Sequence, residues 1–163
     1  MAEDQQFHIF LDLDGVLADF QRHAEQQNKI SSDGKIKREE LDYNWWVTIP
    51  SCEGAREFYD AVQKMGIVKF LTGPMLNEEC FSGKARWVQN FVPEKGKFIL
   101  HDLIICSSKD KAYLARAQHI LVDDRAENIR AWEEARNAAR ATIRWKFTVA
   151  DARKKFQYGT ELS

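Results

Sequence analysis

What the 163-residue sequence lacks narrows the problem first. No apolar run approaches the roughly 20 residues that span a bilayer. The opening MAEDQQ carries no positive charge ahead of an apolar core, so it does not read as a signal peptide. Cysteine is scarce. Cys52, Cys80 and Cys106 are widely spaced and odd in number, with no C-x-x-C or C-x-x-H pattern. That argues against a disulfide framework and against a zinc cluster, and a reduced, cytoplasmic protein is expected. An excess of one charge is also missing. With 24 Lys+Arg against 25 Asp+Glu the formal net charge is -1, so no overall field recruits nucleic acid or an anionic membrane. Internal repeats, low-complexity tracts and flexible linkers are absent.

What is present suits one ordinary domain, or a core with a small insert: 44% of residues are hydrophobic, enough for a real core. Four short runs rich in Ile, Val, Leu and Phe read as buried strands: FHIFLDL, VKFLT, DLIICS and HILVDD. Helical patterns separate them. GAREFYDAVQKMG stops at Gly66 and GKARWVQNFVP stops before Pro93, while DKAYLARA and RAENIRAWEEARNAARA follow the later strands. Alternating strands and helices predict an α/β fold, a mostly parallel sheet with both faces covered. Residues 21–51 break the alternation with a polar helical stretch, an SSDGK turn and LDYNWWVTIP. They read as a small helical cap inserted after the first strand, which leaves 1–20 and 52–163 as the core. Near the C-terminus, ATIRWKF is a candidate fifth strand and TVADARKKF a closing helix with Thr148 as its N-cap.

In open α/β sheets the ligand site lies beyond the carboxyl ends of the strands. Asp12 and Asp14 end the first strand here, and alternation along a strand directs both acids to one face. Two carboxylates in one small volume call for a cation. Thr72 and Gly73 end the second strand, Ser107, Ser108 and Lys109 follow the third, and Asp123 and Asp124 end the fourth. Each has an ordinary reading as well: a D-x-D-G turn, a T-G-P turn, and acids favoured at a helix start by its dipole. Their occurrence in this order at four successive strand ends argues for a site.

The segments DLDGVLADF, LTG, SKDK and LVDD resemble, in order, the four signature motifs of the haloacid dehalogenase superfamily of phosphohydrolases. The form DLDGVLADF, the short insert and GKARWV further resemble its 5'(3')-deoxyribonucleotidase branch. The fold implied is a Rossmann-like three-layer sandwich. The function implied is a Mg2+-dependent phosphomonoester hydrolase working through an aspartyl-phosphate, with nucleoside monophosphates as substrates. By this resemblance Asp12 is the nucleophile, Asp14 the general acid and then base, and Thr72 and Gly73 contact the phosphate. Lys111 is the core lysine, at the N-terminus of a helix capped by Asp110. Lys84 and Lys109 are further phosphate contacts. Asp12, the backbone carbonyl of Asp14 and Asp123 hold the metal, with Asp124 either a further ligand or a partner of the ligands. Phe20, Trp45 and Trp46 form an aromatic pocket for the base, although core packing accounts for these rings equally well. Glycine after Thr72, lysine at 109 and the missing proline before Gly54 depart from the branch pattern. These departures leave open another small phosphate, such as a sugar phosphate or a nucleic-acid 3'-phosphate end, or a phosphate-binding protein without turnover.

Overall fold

In the computed structural model, which describes residues 6–138, β1 (Phe7–Leu11), β2 (Gly66–Thr72), β3 (Leu103–Ile105) and β4 (His119–Val122) form one sheet in the order β3-β2-β1-β4. All three pairings are parallel. The candidate fifth strand and the helix after Thr148 lie outside the described residues. No described helix is long and apolar enough to cross a membrane.

The period-2 geometry of strands distributes the apolar residues to two faces. Ile9, Leu11, Val68, Phe70 and Val122 join the larger core, together with helices α3 (Ala55–Gln63) and α4 (Glu78–Phe91). Phe10, Leu71 and Leu121 turn to the other face, where Trp132 of α5 (Ala126–Ala138) covers them with Ala115. The result is a three-layer α/β/α arrangement. Gly66 is not a helix stop: α3 ends with Lys64 as its C-cap, and Gly66 is the first residue of β2, where a Cβ would collide with the backbone of Phe7. The helix expected from Gly83 starts earlier, because Asn77 caps it by accepting from Cys80 N at 2.9 Å and Glu78 and Glu79 suit its dipole.

The insert leaves and rejoins the core at one point. Ala18 bridges Ser51, Asp19 N donates to Pro50 O and Cys52 N to Leu17 O. Between them lie α1 (Phe20–Gln26), a 3₁₀ turn at Arg38–Glu40 and α2 (Tyr43–Val47), the last capped by Asp42, which accepts from Trp45 N at 2.8 Å. Leu41, Trp45, Trp46 and Ile49 belong to the same core cluster as β1, so the insert is packed as part of the main body. It meets α4 closely at Gly83, where a Cβ would collide with Trp46 Cβ.

An alanine in the middle of an exposed helix is worth up to about 1 kcal/mol over glycine. At residue 83 the seating of α2 on α4 reverses the sign. Gly83→Ala is expected to lower stability by about 1–3 kcal/mol, read as a fall in urea midpoint at unchanged m-value. A variant as stable as wild type would show that α2 is not seated there.

Candidate functional site

From β1 the chain runs to β2 and on to β3 on one side, then crosses back to add β4 on the other side of β1, so β1 and β4 flank a topological switch point, the position at which open α/β sheets bind ligands. Asp12 and Asp123 each follow the last residue of these strands, Leu11 and Val122, which are paired in register. Asp12 N continues the ladder to Val122 O at 2.9 Å. The strand stops before either acid of D-x-D, so alternation is not what brings Asp12 and Asp14 together. The chain turns at once instead: the N–H groups of Val16, Leu17 and Ala18 all donate to Leu13 O, and Gly15 adopts φ 78°. Two buried lysines organise the acids.

Lys111 is the first. The residue is 1% exposed, and its ammonium lies 2.7 Å from Asp123 Oδ2 and 3.0 Å from Asp12 Oδ2. It reaches there from a 3₁₀ helix, Ser108–Leu114, that Ser107 precedes. No side-chain cap by Asp110 is present; Asp110 sits in the first turn, where its N–H donates to Ser107 O. The tighter 3₁₀ turn starts three residues earlier than a helix capped by Asp110.

Lys84 is the second. It lies midway along α4 and is buried, and its ammonium donates to Asp14 Oδ2 at 2.6 Å, Thr72 Oγ1 at 2.7 Å and Gly73 O at 2.7 Å. Thus Thr72 and Gly73, at the end of β2, are tied to the acid that follows β1. A Cβ at residue 73 would stand 2.7 Å from Ser108 Oγ, so glycine lets the Ser108 loop close on this turn. Lys109 is exposed and makes no ion pair among the described residues.

Asp123 and Asp124 differ sharply. Both oxygens of Asp123 are committed: Oδ1 accepts from Arg125 N and Asn128 Nδ2, and Oδ2 from Lys111 and the same Asn128 amide. Asp124 is more exposed, and its carboxylate lies over Gly15, where any Cβ would overlap it. Carboxylate oxygens of Asp12, Asp123 and Asp124 lie within 4.8 Å of one another. Asn128, buried in the first turn of α5, was not singled out from the sequence; its one signal was an amide one helical turn after the paired acids.

Phe20, Trp45 and Trp46 come together, but as packed rings. Trp45 and Trp46 meet edge to face at 5.1 Å, Phe20 lies 5.3 Å and 5.8 Å from them, and His23, also missed from the sequence, adds a fourth ring 4.9 Å from Trp45. Trp45 is 6% and Trp46 1% exposed, so neither offers an open face to a base. Yet Trp45 Nε1, Trp46 Nε1 and His23 Nε2 are buried without a hydrogen-bond partner among the described residues. On its inner side the cluster meets the polar site, with Lys84 Nζ 5.4 Å from the Trp46 ring centroid.

The electrostatics of the cluster follow from counting. Asp12, Asp14, Asp123 and Asp124 carry four negative charges when ionised, and Lys84 and Lys111 supply two positive ones. An all-oxygen donor set with two uncompensated negative charges suits a hard divalent cation. Burial dominates the Asp12 carboxyl; Lys111 opposes it, but Asp123 and Asp14 add to it, and the pKa is pushed up from 3.8 to about 6. Asp124 is also raised, by burial and then by Asp123 and Asp14. Burial works against the Lys111 ammonium, and the two acids beside it outweigh burial, so its pKa is raised.

No protein-family model and no curated protein matches the chain.

A carboxyl whose pKa is higher folded than unfolded makes the native state bind more protons, so its contribution is full below pH 4 and is lost as pH rises through about 6. Asp12→Asn removes that loss. Without divalent cations, it is expected to exceed wild type in stability by up to about 3 kcal/mol above pH 6.5, the gap closing toward pH 4. Denaturant melts of both proteins across this range measure it; a gap that widens toward acid pH would contradict the burial argument.

Proposed function

We propose that the protein is a Mg2+-dependent phosphomonoester hydrolase of the haloacid dehalogenase type, acting on nucleoside monophosphates through a phosphorylated Asp12. The convergence of residues from all four strand ends, Asp12, Asp14, Thr72, Lys111, Asp123 and Asp124, in one polar cluster linked by Lys84 and Lys111 carries this reading.

A phosphate monoester is a dianion that repels carboxylates, and a bound Mg2+ supplies the positive charge that lets the two approach. Asp12 and Asp124, with the main-chain carbonyl of Asp14, are the groups that would hold the ion, since Asp123 already has four hydrogen bonds. Asp123 then serves to fix Lys111 beside Asp12. In the first half-reaction an Asp12 oxygen bonds to phosphorus and the ester P–O bond breaks, while Asp14 gives a proton to the departing alkoxide. In the second, water attacks the phosphorylated Asp12, Asp14 takes the water's proton, and inorganic phosphate leaves with the Asp12 carboxylate restored. Lys111, whose ammonium is 3.0 Å from Asp12 Oδ2, and the Thr72 hydroxyl offset charge on the transferring phosphoryl oxygens in this reading. The second acid argues for turnover over simple phosphate binding.

For the base, the three unpartnered polar atoms on Trp45, Trp46 and His23 support a ring-bearing substrate, because each buried unpaired group costs about 1–3 kcal/mol that a hydrogen-bonding ring can repay. The closed ring faces favour a second reading, a small phosphate without a base, such as a sugar phosphate.

Wild type with Mg2+ is expected to turn over an aryl phosphate many times, and Asp12→Asn to lose at least about 1,000-fold in kcat. A panel of nucleoside monophosphates and sugar phosphates, scored by kcat/KM with phosphate release, separates the two substrate readings. Absence of multiple turnover in wild type across the whole panel would overturn the hydrolase proposal.

A further inference from the structure

An ammonium has three N–H donors, and Lys84 has three acceptors within 2.7 Å: Asp14 Oδ2, Thr72 Oγ1 and Gly73 O. No donor is left for a phosphate oxygen. The remaining side of the ammonium is closed by the Trp46 ring at 5.4 Å, and Trp46 is itself seated by the close helix contact at Gly83. The lysine is therefore clamped between the turns after β1 and β2 on one side and the insert on the other.

We infer that Lys84 is a positioning residue for Asp14, holding the carboxylate that moves the proton, rather than a ligand of the substrate phosphate. The inference rests on the hydrolase reading above and changes the part that Lys84 takes in it. Asp14 uses Oδ2 for Lys84, while Oδ1 accepts no hydrogen bond from any described residue. One oxygen is tethered and the other remains open to the reacting atoms. Without the tether the carboxylate rotates about its Cβ–Cγ bond, and a displacement of about 1 Å in a proton-transfer group can cost roughly 100-fold in rate. The same clamp gives the insert a second task. By walling the lysine, Trp46 links the fit of the cap helix to the geometry of Asp14.

The leaving group discriminates the two roles. An alkyl phosphate departs as a basic alkoxide and needs the proton from Asp14; 4-nitrophenyl phosphate departs as a stable phenolate and needs it far less. Lys84→Met keeps the aliphatic stem against Trp46, and Lys84→Gln keeps a donor as well. Both are expected to lower kcat/KM, which reports the half-reaction in which the leaving group departs, by about 100-fold or more for the alkyl ester and by less than about 10-fold for the aryl ester, as loss of general acid catalysis predicts. The inhibition constant of inorganic phosphate should stay within about 3-fold of wild type. The ratio of the two kcat/KM values is independent of the fraction folded, so partial misfolding does not mimic the effect. Parallel losses of kcat/KM on both esters with the ratio unchanged would overturn the inference, as would a tenfold or larger rise in the phosphate inhibition constant. A wild type inactive on both esters sinks the hydrolase reading itself, and the inference with it.

Discussion

The arrangement depends on one buried ammonium, that of Lys111, held between the carboxylates that follow two neighbouring parallel strands. Parallel pairing of β1 with β4 puts Asp12 and Asp123 side by side, where two buried like charges repel. The lysine stabilises both at once, and removing it is expected to cost about 3–5 kcal/mol, because two buried acids are then left uncompensated. Asn128 extends the constraint by donating to both Asp123 oxygens from the first turn of α5. The sheet, the 3₁₀ helix that carries Lys111 and the helix behind β4 are thus tied through one carboxylate. Burial, with the charges of Asp123 and Asp14 added to it, outweighs Lys111, which is why Asp12 is pushed toward its protonated form.

The parts that could be read from the sequence are those set by short-range pattern. Four apolar runs ending in polar residues gave the strands, their parallel pairing and the end of the sheet at which the polar residues gather. The lysine at 111 was also legible, although the turn that presents it is a 3₁₀ helix and not one capped by Asp110. Depth was not legible. Lys84 looks like the opening of a helix because Gly83 precedes it; in fact Gly83 lies in mid-helix as the contact point for Trp46, which nothing local announces. The D-x-D spacing pointed to the right cluster through the wrong geometry, since Asp14 reaches it by a turn and a lysine, not by strand alternation. His23 acts through Trp45, distant in sequence, and Asn128 acts on Asp123 across the turn into α5; a single residue at either spacing carries no pattern.

The insert shows how much a shared core restricts what a cap can do. Were residues 21–51 a body with its own core, opening it would expose one polar interface. Instead Leu41, Trp45, Trp46 and Ile49 pack into the same cluster as Leu11 and Phe70. At about 25 cal/mol per Å2, withdrawing even one such tryptophan exposes apolar surface worth several kcal/mol. Motion of the whole cap is therefore disfavoured, and any ring-sized substrate has to be admitted by local adjustment among Phe20, His23, Trp45 and Trp46. Those four rings carry three buried polar atoms that lack partners, so local opening toward a hydrogen-bonding ligand has a compensating gain that opening toward water alone shares only in part. Selectivity would then come from what satisfies those atoms, while Trp46, through its contact with Lys84, carries any displacement of the aromatic cluster toward Asp14.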